Sequence, residues 1–177
     1  MSELFKNSAI NIEELPNVQE LQTERLSPGY LKILRIQSNI FFLVISVGFL
    51  TLLIFRLDIS NILVQIIAGV IWLFVLIAIN LYIPKAFNKK GYAIRERDIV
   101  FKTGIWWKKS VVVPFNRIQH CELHQGPLSK IFNLFSLTIF TAGGSSSDLR
   151  IPGLMQDDAL RIKEFLLTNI ESNGKAQ

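Results

Sequence analysis

The segment Ile36–Ile83, IQSNIFFLVISVGFLTLLIFRLDISNILVQIIAGVIWLFVLIAINLYI, contains two long apolar runs. Residues 36–55 and 62–83 carry no formal charge over 20 and 22 positions, respectively. A helix needs about 20 such residues to cross the hydrocarbon core of a bilayer. Two buried helices of a soluble domain are the alternative, but a single-domain core rarely needs two apolar runs of this length. The segment therefore predicts a pair of transmembrane helices.

The turn between the two runs is only six residues long, RLDISN, so both chain ends are expected on the same side of the membrane. It contains one basic residue, Arg56. Five basic residues lie at the outer ends of the runs: Lys32, Arg35, Lys85, Lys89 and Lys90. Lys and Arg are enriched on the cytoplasmic side of membrane helices. This asymmetry predicts that both termini are cytoplasmic.

The segment before the first run is polar and interrupted by prolines, which predicts a largely flexible tail over residues 1–27. Ser27 followed by Pro28 is typical of a helix start, with serine as the cap and proline in the first turn. We therefore expect an interfacial lead-in and a transmembrane hairpin over residues 28–84. Trp72 lies in mid-span and is expected to pack against the first helix.

The chain after Lys90 changes to short β-branched and aromatic runs that alternate with turn signals. Six such runs precede an amphipathic helix, whose apolar positions recur at helical spacing: Ala159, Ile162, Leu166 and Ile170. This order predicts a pleckstrin-homology-like (PH-like) antiparallel β-barrel over residues 91–170, capped by the C-terminal helix and followed by a flexible tail over 171–177. An SH3-like or OB barrel lacks the long closing helix. The expected fold class is an α+β membrane protein.

The stretch Arg117–Leu128, RIQHCELHQGPL, holds both histidines and the only cysteine of the chain. Side chains alternate along a strand, so His120, Glu122 and His124 are expected to face one way and Cys121 the other. Same-face neighbours lie about 6.6–7 Å apart, which is far for a metal with bonds of about 2 Å. A zinc-protease helix would need Glu directly after the first histidine. We therefore predict solvated or hydrogen-bonded strand histidines without a metal or catalytic role.

Known enzyme motifs do not occur in the sequence, which has no GxSxG, Walker, CxxC or dinucleotide pattern. Gly143–Ser147 lacks the lysine of a phosphate loop and is expected to be a flexible hairpin turn. Asp157 and Asp158 are typical of a helix start rather than of an acid–base pair. These observations predict a protein that is not an enzyme and that binds no cofactor.

An ordered series of motifs resembles the bacterial PH-domain membrane proteins, the YdbS-like, membrane-flanked-domain family. The series consists of Arg117, Ile118, Gln119 and His120, then Gln125, Gly126, Pro127 and Leu128, then Thr141, Ala142 and Gly143, then Ile151, Pro152 and Gly153. The resemblance covers roughly Leu26 to Ile170 and includes the two-span hairpin. It implies a PH-like domain on a multi-pass hairpin of the bacterial inner membrane, without enzymatic activity. This chain has Asn133 where the family usually has glycine, and Asn tolerates left-handed backbone better than most residues.

The motif residues have two possible roles. In the scaffold role, Gly126 before Pro127 permits a sharp exit from the fourth predicted strand, and Leu128, Ile131 and Phe132 pack over one end of the barrel. In the other role, the motif forms a docking surface for a peptide or protein.

The net charge of +5 is concentrated near the second span. The candidate membrane-surface residues are Lys85, Lys89, Lys90, Arg95, Arg97, Lys108 and Lys109. A basic residue close to an anionic leaflet gains about 1 kcal/mol. Two roles are open for these residues: they hold the domain against the bilayer, or they set only the topology of the spans. The first role does not conflict with the second, because the same charges can do both. We therefore expect the lipid bilayer, and not nucleic acid, as the partner of this charge.

Three classes of function remain open. The first is a membrane-anchored adaptor or subunit for another membrane protein, such as a larger relative with several PH-like domains, or for a second copy of the chain. The second is a lipid- or small-ligand-binding domain, with a groove between barrel and bilayer lined by Trp106, Trp107 and basic residues. The third, an enzyme or transporter component, is disfavoured because transporters use polar or charged residues within their spans. The spans of this chain carry no charge, and their amide side chains include Asn39, Gln65 and Asn80.

Overall fold

The structure is a computed structural model that describes residues 21–56, 62–144 and 147–174, except for the side chains of 52–56 and 171–174. Its elements follow in this order: β1 Glu24–Arg25, α1 Pro28–Arg56, α2 Ile62–Phe87, β2 Gly91–Ile94, β3 Asp98–Thr103, β4 Lys109–Pro114, a 3₁₀ turn Phe115–Arg117, β5 Ile118–His124, α3 Pro127–Ile131, β6 Leu134–Thr141, β7 Leu149–Met155 and α4 Gln156–Gly174.

The helices α1 and α2 correspond to the two predicted membrane spans. The Ser27 hydroxyl caps α1 by accepting the Gly29 N–H at 3.3 Å, and Pro28 opens the helix as expected. In their most apolar windows, only 11% of α1 and none of α2 is buried. A core helix of a soluble protein would be covered on its apolar side, so the soluble alternative is rejected. The predicted turn between the spans lies outside the described residues at 57–61.

The two long helices contact each other through polar and aromatic side chains. The indole Nε1 of Trp72 donates to the Ser46 hydroxyl at 3.0 Å, and its ring packs on Phe42 with centroids 4.4 Å apart. The amide of Asn80 donates to the Asn39 side-chain carbonyl at 3.1 Å. Such bonds satisfy polar groups that hydrocarbon cannot solvate. The prediction that Trp72 packs against the first helix is confirmed.

The seven strands form two antiparallel sheets, in the orders β1-β2-β3-β4 and β5-β6-β7. Both sheets contribute to one core, in which Ile99, Leu137 and Ile151 are fully buried. We expected a closed barrel, and this detail is wrong, because no ladder joins the two sheets among the described strands. Pro114 lacks an N–H and ends the β4 ladder, and the chain then turns over the buried Phe115. Two sheets with a closing C-terminal helix nevertheless agree with a PH-like domain.

The first strand precedes the helical hairpin but pairs with a strand that follows it, with Glu24 opposite Tyr92. The membrane hairpin is therefore inserted between the first two strands of the domain. Leu26 is only 2% exposed, so residues 21–27 pack on the domain rather than extending the flexible tail that we expected. A two-residue strand is too short to show an alternation of apolar and polar side chains, which is why the sequence did not predict β1. The expectation for residues 1–20 lies outside the described chain.

The C-terminal helix α4 covers the sheets with the predicted apolar stripe, whose buried members have these exposed fractions: Ala159 0%, Ile162 6% and Leu166 0%. Ile170 packs at the edge of the same core. This part of the prediction is confirmed. The helix continues to Gly174, so residues 171–174 are helical rather than part of a flexible tail, whereas 175–177 lie outside the described residues. The two acids expected at the helix start lie in its first turn.

Candidate membrane-surface site

The turn between β3 and β4 presents two exposed tryptophans. The run from Ile99 to Trp107 predicts a strand with a bulge or a close approach at Gly104. β3 ends earlier, at Thr103, and Gly104 makes the close approach. Gly104 has a φ of +101°, and a Cβ at this position would collide with the carbonyl oxygen of Trp107. Only glycine fits this conformation without strain. The resulting turn leaves the side chains of Trp106 and Trp107 79% and 89% exposed.

A cavity of about 480 Å³ lies beside this turn. It is lined by basic and hydroxyl side chains and one glycine: Lys89, Lys102, Thr103, Gly104, Lys108, Lys109 and Ser110. No acidic side chain is among these lining residues. A cleft lined by one sign of charge concentrates the electrostatic potential. Among the described residues, the lining of the cavity is therefore basic and carries hydrogen-bond donors.

The cavity lies at the end of the sheet next to the membrane helix. β2 begins at Gly91, four residues after α2 ends at Phe87, and Gly91 pairs with Lys102. The segment of α2 from Ile83, the end of the apolar run, to Phe87 is about 6 Å long at 1.5 Å per residue. The headgroup layer on each side of a bilayer is about 5–8 Å thick. The end of α2 is therefore short enough to lie within such a layer, and the cavity lies beside it.

Four lysines meet at the cavity, and sequence reasoning singled out three of them: Lys89, Lys108 and Lys109. The fourth, Lys102, is an isolated base within β3, so no charge cluster marked it. Its side chain shares a face of β3 with Val100, opposite to the core residues Ile99 and Phe101. Its ammonium also donates to the Leu21 carbonyl at 3.1 Å, which links the cavity wall to the segment before β1.

The other predicted surface residues lie apart from the cavity. Lys85 is exposed in the last turn of α2. Lys90 is half-buried, and burial lowers the pKa of its ammonium. Arg95 and Arg97 lie in the β2–β3 turn, at the opposite end of these strands from α2. Arg95 instead forms a two-point ion pair with Asp98, with both N–O distances at 2.5 Å.

The domain packs on the base of α1 around Tyr30. The Ser27 N–H donates to the Gly153 carbonyl at 3.0 Å. Gly153 has a φ of +69°, and a Cβ there would lie 2.5 Å from the Tyr30 side chain. The tyrosine ring also packs against Phe87, with centroids 6.4 Å apart, and the Lys90 ammonium lies 5.5 Å from its centre. This junction therefore joins α1, the end of α2 and β7.

The motif at residues 141–143 fixes the end of β6. The Ala142 N–H donates to the Arg117 carbonyl at 3.1 Å, and the Thr141 N–H donates to the Asp148 carboxylate at 3.0 Å. The Thr141 hydroxyl also shares a hydrogen bond with Ser147. Together with the close packing at Gly153, these bonds favour the scaffold role of the motif residues.

The segment around α3 differs in part from expectation. Gly126 has a φ of −77°, so the exit from β5 does not need the conformational freedom of glycine, and that prediction is wrong. Leu128 and Phe132 are half-buried, but Ile131 is 74% exposed and does not pack over the domain. Asn133 has a φ of +53°, which confirms that it takes the left-handed position of a glycine.

The strand β5 presents its histidines to solvent. His120, Glu122 and His124 share the outer face, each with about half of its side chain exposed. A Glu122 carboxylate oxygen lies 3.0 Å from His124 Nε2, and the other lies 3.8 Å from His120 Nε2. Cys121 is buried, and burial raises the pKa of its thiol. The predicted alternation is confirmed. In the described part of the chain, no three metal-ligating side chains form a group that could hold an ion.

Comparison with known proteins shows to which family this architecture belongs. The family model of the bacterial PH domain matches residues 39–170, which is most of the chain and includes the greater part of the hairpin. The chain belongs to the bacterial PH-domain family. This family member is 32% identical over 156 residues to a Bacillus subtilis (strain 168) protein described as UPF0699 transmembrane protein YdbS. The alignment covers 84% of this chain and 93% of that relative. No solved structure matches the chain. The YdbS-like resemblance is confirmed, and the protein is a membrane protein with a PH-like domain.

Proposed function

We propose that this bacterial PH-domain protein is a non-enzymatic adaptor or subunit for another membrane protein. Its partner would be a larger relative with several PH-like domains or a second copy of the chain. The asymmetry of Lys and Arg supports an arrangement with both termini and the PH-like domain on the cytoplasmic side of the bacterial inner membrane. In this role, the hairpin anchors the domain, and the domain presents a binding surface next to the bilayer.

The junction between the hairpin and the domain carries this proposal. Ser27, Tyr30 and Gly153 pack closely enough that the space beside Gly153 does not admit a Cβ. Tight packing of this kind leaves few alternative arrangements. The domain is therefore held in one orientation relative to the membrane helices, which suits a protein that positions a partner.

The chemistry of the cavity supports a non-enzymatic role. Among the described residues, its lining contains no His, Cys, Asp or Glu, which are the side chains that most often transfer protons at neutral pH. Within this described lining, the hydroxyls of Thr103 and Ser110 have no His, Asp or Glu neighbour to activate them as nucleophiles. Binding, rather than group transfer, is the chemistry that these residues favour.

The adaptor role is tested by purifying the full-length protein from native membranes in mild detergent. Mass spectrometry is expected to identify a membrane-protein partner that is enriched over a mock purification. Gly153→Val should reduce this enrichment without preventing insertion, because the new side chain collides with Tyr30 and loosens the junction. Gly126→Val is the matched control, since a Cβ at Gly126 meets nothing within 4 Å. The proposal fails if no membrane protein is enriched, or if both variants retain the partner equally.

A further inference from the structure

We propose that the end of the transmembrane hairpin nearest the PH-like domain is a self-association surface. Its occupant is a second copy of this chain, bound about a two-fold axis beside Asn39 and Asn80. The inference names the partner in the subunit role proposed above and rests on that role. Three features of the described residues support it: unused hydrogen-bonding groups on the two asparagines, their depth in the bilayer, and a groove beside them.

The two asparagines leave one donor group and one acceptor without a partner. Asn80 uses both of its amide hydrogens, because it donates to the Asn39 side-chain carbonyl at 3.1 Å and to the Leu76 backbone carbonyl at 2.9 Å. Within the described part of the chain, nothing bonds to the amide hydrogens of Asn39 or to the side-chain carbonyl of Asn80. Asn39 is exposed and Asn80 is half-buried, so the pair is open to a neighbouring helix.

Both asparagines lie within the apolar part of the spans. Asn39 is three residues inside the start of the run 36–55, and Asn80 is three residues inside the end of the run 62–83. At 1.5 Å per residue, each lies about 4.5 Å inside its run. Lipid tails offer no hydrogen bonds at this depth, and an unpaired polar group is unfavourable there. The pair therefore favours contact with another polar helix over contact with lipid.

A groove of about 360 Å³ beside Asn80 provides room for such a contact. Its lining consists of Arg35, Leu76, Ile77, Asn80 and Leu81. Ile77 and Leu81 are 51% and 62% exposed, so apolar surface surrounds the amide. Arg35 precedes the apolar run, where its long side chain can extend to the headgroups. The charge of Arg35 is therefore not forced into the contact between the copies.

A second copy supplies the missing donor and acceptor at the required depth. Copies of one chain insert in the same orientation, so their asparagines lie at the same level of the bilayer. A two-fold interface repeats each contact, so Asn39 of one copy donates to Asn80 of the other while the reverse bond forms. An unrelated helix would need to carry both a donor and an acceptor at this level. The surface is therefore complementary to itself.

The first arm of the test leaves both asparagines intact. Ile77→Cys and Val75→Cys are made in the full-length protein with Cys121→Ala, and copper phenanthroline oxidises the thiols in native membranes. Ile77 and Val75 are 51% and 39% exposed, but they lie about 200° apart around α2. Position 77 is expected to form a disulfide-linked dimer and position 75 to stay monomeric. Equal crosslinking at the two positions, or none at 77, would overturn the surface.

The second arm measures energy transfer between copies labelled at Asn116→Cys in the same background, in vesicles of known protein-to-lipid ratio. Asn39→Leu with Asn80→Leu should raise the dissociation constant of the dimer roughly threefold for each intermolecular bond that is lost. Ser46→Ala is the matched control, because it also removes a hydrogen bond between the two helices but lies seven residues from Asn39. Equal dissociation constants for the asparagine variant and the control would overturn the inference.

Failure of this dimer and failure of the adaptor role give different results. A monomeric wild type that still enriches a membrane-protein partner would overturn the second copy as occupant and leave the adaptor role intact. Asparagine-dependent self-association without an enriched foreign partner would support the dimer, although the adaptor role toward another protein would fail.

Discussion

Gly104 determines the shape of the tip that carries the two tryptophans. Its φ of +101° and the carbonyl of Trp107 leave no place for a Cβ. We therefore expect Gly104→Ala to lower the free energy of unfolding by about 1–3 kcal/mol. Gly126→Ala should cost less than about 1 kcal/mol, because Gly126 has a negative φ and open space around it. Chemical denaturation of the full-length protein in detergent measures both, and equal losses would mean that the turn tolerates a side chain.

The direction of a single side chain was predictable from the sequence where it depends only on neighbouring residues in the chain. The alternation of His120, Cys121 and Glu122 follows from the period of one strand, and the structure confirms it. The basic cavity was only partly predictable. Lys89, Lys102 and Lys109 meet because two ladders pair distant parts of the chain, and the sequence does not show which strands become neighbours.

The element that seals the domain core is α4. Leu166 is fully buried at the centre of its apolar stripe, whereas the adjacent Leu167 is 39% exposed. Leu166→Asp would bury a carboxylate without a partner, at a cost of several kcal/mol out of a typical stability of about 5–15 kcal/mol. Leu167→Asp makes the same chemical change on the outer face and should cost less than about 1 kcal/mol.

Thermal melting of the full-length protein in detergent distinguishes these two variants. A large drop in melting temperature is expected for Leu166→Asp only. Similar melting temperatures would mean that α4 does not close the core of the domain.

Long elements were predictable because their patterns extend over many residues. The hydropathy of α1 and α2 and the helical stripe of α4 each repeat over several turns. β1 has two residues, Glu24 and Arg25, and is recognised only by its pairing with β2. The open arrangement of the two sheets was also missed, because it depends on how the chain turns at Pro114 and Phe115 rather than on the strands themselves.

The whole molecule is organised by the insertion of the hairpin between β1 and β2. Because these strands pair across the insertion, the two chain segments that enter and leave the membrane are held side by side. The junction at Tyr30 and Gly153 adds a second contact at the same place. The domain is therefore connected to the hairpin by two chain segments rather than by one linker. These two segments fix the end of the domain that lies next to the hairpin.

The proposed topology predicts opposite accessibility of two positions. Ile59→Cys lies in the short stretch between the helices, and Asn116→Cys lies at an exposed position of the PH-like domain. Both belong in a Cys121→Ala background, because the native thiol is buried and reacts poorly wherever the domain lies. An impermeant maleimide should label position 59 in intact cells, and position 116 only after the membrane is permeabilised. Labelling of position 116 alone in intact cells would reverse the proposed orientation.

The most direct test of a membrane-apposed domain is the bilayer depth of its two ends. Spin labels at Trp107→Cys and Arg97→Cys, in the Cys121→Ala background, report the tip beside α2 and the opposite end of the sheet. After reconstitution into anionic vesicles, collisions with oxygen and with a water-soluble nickel chelate measure depth. We predict that the label at 107 favours oxygen over the chelate and that the label at 97 is fully accessible to the chelate. The same aqueous profile at both positions would contradict a domain that holds its tryptophans and lysines against the membrane.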